Sequence, residues 1–157
     1  MKGFGVMAPR RVQHAFFPFL TSSPSLLQMQ NPLPPCPGTP NCERESRTFP
    51  GASPEALFEQ AQDALGDLGP VELAVRDEGE RRVAAVFRVA LIFKDDVAVA
   101  VTPPSEMSNT GDTSAGGSSA GTGAVLHIRS ASRVGTSDLG VNARRVKRFF
   151  ERLDARL

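Results

Sequence analysis

Apolar positions settle into a helical period from Ser53 onward. Leu57, Ala61, Ala64, Leu65 and Leu68 recur at spacings of three and four, which makes one apolar stripe. Ser53 has the side chain of an N-cap, Pro54 fits the first helical position, and Glu55 suits the positive end of the helix dipole. Gly69 can adopt the left-handed turn that ends a helix, and Pro70 forbids its continuation. The pattern predicts a helix over 54–68.

Alternation replaces that period downstream. Val71, Leu73 and Val75 alternate with Glu72 and Ala74, and Asp77-Glu78-Gly79-Glu80 reads as a turn. From Val83 to Phe93 the chain is long and β-rich, with Ala85, Phe87, Val89, Leu91 and Phe93 on one face. Lys94-Asp95-Asp96 is expected to break it. Val97, Val99 and Val101 resume the alternation, and Leu126 and Ile128 return the chain to the sheet. Asn142 is placed to cap a last helix with the stripe Val146, Phe149, Phe150, Leu153 and Leu157. These elements predict a small two-layer α+β domain: a mostly antiparallel sheet of three or four strands packed with an N-terminal and a C-terminal helix.

Two segments fall outside the pattern. Residues 1–35 mix Pro, Ser and isolated apolar residues without period and are expected to be a disordered tail. Residues 36–157 then form a single domain. Within it, 13 of the 19 residues from 105 to 123 are Ser, Gly or Thr, a Ser/Gly-rich insertion that buries too little apolar area to offset its ordering entropy. Arg10-Arg11 before Ala15-Phe16-Phe17-Pro18-Phe19-Leu20 has the outline of an export leader. The apolar run is short and broken by Pro18, which favours the cytoplasm over export. No run of about 20 apolar residues is present to cross a membrane.

The net charge of +1 conceals a division. Residues 51–128 carry twelve Asp/Glu against five Lys/Arg, whereas residues 129–157 carry eight Lys/Arg against three. On the last helix Arg145, Arg148, Arg152 and Arg156 line up as one basic stripe. Glu151 and Asp154 are interspersed and no basic-aromatic pattern accompanies them, so a solvated face is expected and no nucleic acid partner. Two Cys and two His are too few for a metal centre, and no cofactor-binding sequence is present; neither a metal nor a cofactor is expected. The five-residue gap between Cys36 and Cys42 permits a disulfide, and equally two reduced thiols. His127 and Arg129 share one face of a strand while Ser130 points to the other, which argues against a Ser–His nucleophilic pair.

The densest polar chemistry is Arg129, Ser130, Ser132, Arg133, Ser137, Asp138, Asn142 and Arg145, with Asp95, Asp96 and Asn41 as secondary candidates. Cys36-Pro37-Gly38-Thr39-Pro40-Asn41-Cys42, Ile92-Phe93-Lys94-Asp95-Asp96-Val97 and the run from Arg129 to Val146, in this order, resemble the family known as domain of unknown function 1499. The resemblance covers about residues 36–157. Glu43-Arg44-Glu45-Ser46 departs from the small polar residues usual after the second Cys, and the 105–123 insertion is longer than usual. The resemblance implies no reaction, ligand or partner. The residues themselves suggest a non-catalytic binding or structural module whose polar loop holds a small anion, a lipid headgroup or a protein partner. The alternative is an enzyme using Asp95, Asp96, Asp138 and the neighbouring arginines as acid/base and anion-binding groups.

Overall fold

The computed structural model describes residues 31–90, 92–104 and 123–157. The expected disorder of residues 1–30 and of the Ser/Gly insertion lies outside the described residues. Among the described residues the order is β1 (Cys42–Pro50), α1 (Pro54–Gly66), β2 (Glu72–Asp77), β3 (Arg82–Val89), β4 (Phe93–Thr102), β5 (Gly123–Ser132) and α2 (Val141–Asp154). The strands form one sheet in the order β1-β5-β4-β3-β2, antiparallel throughout. Both helices lie on one face, so the α+β two-layer reading holds with five strands in place of three or four.

The fifth strand is β1, which the pattern hides because its residues Cys-Glu-Arg-Glu-Ser-Arg-Thr are polar on both faces. It pairs with β5 over its whole length, from Cys42 opposite Ala131 to Pro50 opposite Gly123. The long segment from Val83 to Phe93 is two strands, not one. It turns after Val89, where Ala90 takes a φ of 52°, and β4 begins at Phe93. Lys94-Asp95-Asp96 therefore lies inside β4 and does not interrupt it.

Helix α1 starts as expected, with the Ala56 N–H donating to Ser53 Oγ at 3.2 Å. It stops two residues early, at Gly66. The Leu68 N–H donates to the Leu65 carbonyl, and Gly69, at φ 72°, donates to Gly66. Leu57, Ala61, Ala64 and Leu65 are fully buried, and Leu68 packs at the margin. They meet Val97, Val99, Leu126 and Ile128 from the sheet and Val146, Phe149 and Leu153 from α2. About 25 cal/mol per Å² of apolar surface removed from water drives this packing.

Among the described residues the outer face of the sheet carries no helix. Leu33 is buried; its carbonyl accepts from Arg44 on β1 at 3.0 Å, and the Pro32 carbonyl accepts from Arg82 on β3 at 3.5 Å. Residues 31–35, expected in the tail, thus belong to the folded unit. No helix among the described residues is long and apolar enough to cross a membrane.

Candidate functional site

Three distant stretches of chain meet at one end of the sheet: the loop 36–42, the start of β4, and the end of β5 with the loop leading into α2. A Cys36–Cys42 disulfide closes the first, with Cα atoms 5.7 Å apart. Inside that loop Asn41 is buried. Its Nδ2 donates to the Gly135 carbonyl at 2.6 Å, and its own carbonyl accepts from the Ser132 N–H at 2.9 Å.

Asn142, expected as a helix cap, is instead the hub of this end. Gly140 occupies the cap position at φ 76°, a conformation that favours glycine. Asn142 lies two residues further on, in the first turn, and is buried. Its Oδ1 accepts from Ser130 Oγ at 2.5 Å and from Arg145 Nη1 at 2.9 Å. The two hydrogens on its Nδ2 are shared among the Asn41 carbonyl at 3.0 Å, Ser132 Oγ at 3.0 Å and Asp138 Oδ2 at 2.6 Å. One amide thereby ties β5, the 36–42 loop and the 133–140 loop to α2.

Asp138 supplies the capping that Asn142 does not. Its carboxylate accepts from the Gly140 N–H at 2.9 Å and the Asn142 N–H at 2.6 Å, besides the Asn142 side chain. Burial works to raise its carboxyl, but the bonds from the Asn142 and Gly140 N–H groups outweigh it and hold the group below the ordinary aspartate value. Neither Arg129 nor Arg133 takes part. Arg133 forms an exposed fork with Asp96, Nη2 to Oδ1 at 2.7 Å, and Arg129 lies on the outer face.

Asp95 and Asp96 separate for the same reason that Ser130 and Arg129 do: adjacent strand residues face opposite ways. Asp95 turns inward, where its Oδ2 lies 2.9 Å from Arg145 Nη2, an ion pair that lacks the alignment of a hydrogen bond. Arg145 also lies over the Phe87 ring, 4.8 Å from its centroid. The basic stripe expected on α2 is accordingly broken. Arg145 points into the molecule and Arg156 pairs with Asp63 and Asp67, leaving Arg148 and Arg152 on the exposed face.

Above the hub a cleft of about 170 Å³ opens. Val89, Phe93 and Val134 supply the apolar part of its lining; Asp95, Ser132, Ser137 and Asp138 supply the polar part. Phe93 is 47% exposed, and Ile92 and Leu139, each next in sequence to a cleft residue, are 79% and 86% exposed. The apolar side was not legible as a binding surface, because Phe93 and Val134 sit in stretches that read as strand and polar loop. A wider hollow of about 310 Å³ between α1 and the β2–β3 turn is lined mainly by charged groups, among which Arg81 pairs with Glu55 and Arg76 with Glu78.

His127 was set apart from Ser130 by strand geometry, and the structure places it on the outer face. It is buried between Ser46 Oγ, 2.8 Å from Nδ1, and Thr102 Oγ1, 3.1 Å from Nε2. Burial and the nearby charge of Arg44 push its pKa down to about 4.

The fold defines a small two-layer α+β domain. The chain is a member of the family described as protein of unknown function DUF1499, whose model matches residues 32–153. No curated protein matches it in sequence. Among solved structures, protein CV1439 from Chromobacterium violaceum is similar at 16% identity and a TM-score of 0.44, over 74% of this chain and 96% of that one.

Proposed function

We propose that the protein is a non-catalytic binding module, and that the cleft between the β3–β4 turn and the β5–α2 loop takes a small ligand joining an apolar group to a hydrogen-bond donor such as an amine. The observation that carries this reading is the composition of the lining. Phe93 and Val134 offer exposed apolar surface, while Asp138, Ser132 and Ser137 offer acceptor oxygens beside the Asn142 hub. An anion suits the cleft poorly, since two carboxylates, Asp95 and Asp138, line it.

Catalysis is the weaker reading. Asp138 is held low and engaged by three N–H donors, Asp95 is paired with Arg145, and His127 lies across the sheet from the cleft. The groups lining the cleft therefore include no nucleophile beside a base.

Amide chemical-shift mapping with primary amines bearing short alkyl or aryl tails tests the proposal. Shifts confined to 93–95 and 132–138, lost in Val134→Asp, are expected. Tighter binding of the matching carboxylates or phosphates at the same residues would overturn it. A reaction product that accumulates from a cleft ligand and disappears in Asp95→Asn would establish the enzyme instead.

A further inference from the structure

The outer face of the sheet carries a second cluster that the cleft does not use. Arg44 on β1 and Arg129 on β5 are direct cross-strand partners, and Ala98 and Ala84 continue their row. The next row runs Ser46, His127, Ala100, Arg82. Like charges directly opposite each other on a sheet repel. Here the repulsion goes uncompensated, because neither Arg44 nor Arg129 has a carboxylate within 4.0 Å among the described residues.

Both side chains also leave a donor unused. Arg44 Nε and Arg129 Nε are each buried without an acceptor among the described residues. Arg44 gives its Nη2 to the carbonyls of Leu33 and Asn31, at 3.0 and 3.4 Å, which are neutral acceptors and leave the charge in place. His127 adds no negative charge, since burial first and the charge of Arg44 second keep it neutral. The chain preceding Asn31 offers no remedy, since residues 1–30 contain Lys2, Arg10 and Arg11 and no Asp or Glu.

Two adjacent guanidinium groups with free Nε donors and no counter-charge match a tetrahedral oxyanion, which accepts paired N–H bonds from such forks. We propose that the outer face holds a phosphate group between Arg44 and Arg129. The site is independent of the cleft, since Ser130 and Asp95 turn to the opposite face of the same strands.

The test uses the full chain and inorganic phosphate, titrated against chloride at constant ionic strength. A saturable rise in Tm is expected, with amide shifts centred on Arg44, His127 and Arg129. Arg129→Gln should abolish the rise while leaving cleft ligands bound as in wild type. Sedimentation with phosphatidylcholine vesicles, with and without phosphatidylglycerol, then separates two sources of the phosphate. Arg129-dependent binding to the anionic vesicles alone assigns a lipid headgroup; phosphate binding without vesicle binding assigns a soluble phosphate compound. No saturable response to either probe overturns the proposal. So do phosphate shifts centred on 132–138. A rise seen only after Glu106→Gln and Asp112→Asn also overturns it, because the arginines would then serve the chain's own carboxylates.

Discussion

Asp95 and Arg145 form an ion pair across the interface of β4 and α2, with side chains 1% and 10% exposed. Removing one partner strands the other charge in the interior, which typically costs about 3–5 kcal/mol. Asp95→Ala and Arg145→Ala should each fall in that range in urea melts. The double variant should cost less than their sum, because the second change removes the charge that the first left unpaired. Strict additivity would mean that the two groups are stabilised by other neighbours.

Asp138 and Arg133 should behave differently from each other despite being five residues apart. Asp138→Ala removes the acceptor for two backbone N–H groups and part of the Asn142 amide. A loss of about 1–3 kcal/mol is expected for such stranded donors. The Arg133–Asp96 fork is exposed on both sides, so Arg133→Ala should change stability by less than about 1 kcal/mol. Equal losses in the two variants would show that Arg133 is tied to the hub after all.

His127 sets an acid limit on stability. Its folded pKa, about 4, lies below the unfolded value of 6.5. The unfolded chain therefore takes up the proton first as pH falls. The contribution of neutral His127 is complete above about pH 6.5 and is lost progressively down to about pH 4. Full expression of that shift corresponds to about 3 kcal/mol. Denaturant melts at pH 7 and pH 4.5 should show the loss, and His127→Gln should remove most of the difference. Carboxylates such as Asp138 act in a lower window, since a depressed folded pKa lends stability above its unfolded value, 3.8, and loses it only below.

The Cys36–Cys42 bridge closes a short loop, for which chain entropy predicts about 2 kcal/mol. Reductant should lower Tm accordingly, and it should also broaden the amide signals of Gly135 and Ser132, which the loop holds through Asn41. A paired Cys36→Ser, Cys42→Ser chain that melts like the oxidised wild type would show that the hydrogen bonds of Asn41 suffice to fix the loop.

The helices and three of the strands were legible because their apolar residues repeat at the period of the element. Leu57 to Leu65 and Val97 to Val101 meet the core where the pattern puts them. β1 was not legible. Phe49 alone of its inner residues brings an apolar side chain to the core; Arg47 reaches the core edge through its stem and charge, bonding Asp154 and lying over the Phe150 ring, and hydropathy does not register such a contact. The split of the long apolar segment at Ala90 was hidden for the opposite reason, since apolar residues continue straight through the turn.

For the site, the sequence indicated which residues are polar but not which of them meet. Strand alternation separated Arg129 from Ser130 in advance. The same rule separates Asp95 from Asp96, but only once both are known to lie in a strand. Asn142 looked like a cap because it stands near a helix start. Its burial follows from Gly140, whose left-handed backbone moves the helix start forward and turns Asn142 toward β5.

The strand order has a consequence for how the molecule comes into being. β2, β3 and β4 are consecutive hairpins and can assemble while the nascent chain lengthens. β1 precedes them, yet its partner among the described strands is β5, which follows it by about eighty residues. Such distant pairings are slow, because the intervening chain must be ordered before the contact is rewarded. Until β5 inserts, β1 and one side of β4 present unpaired edges, the kind of surface on which strands from other chains aggregate. Polar β1 is the safer of the two to leave waiting.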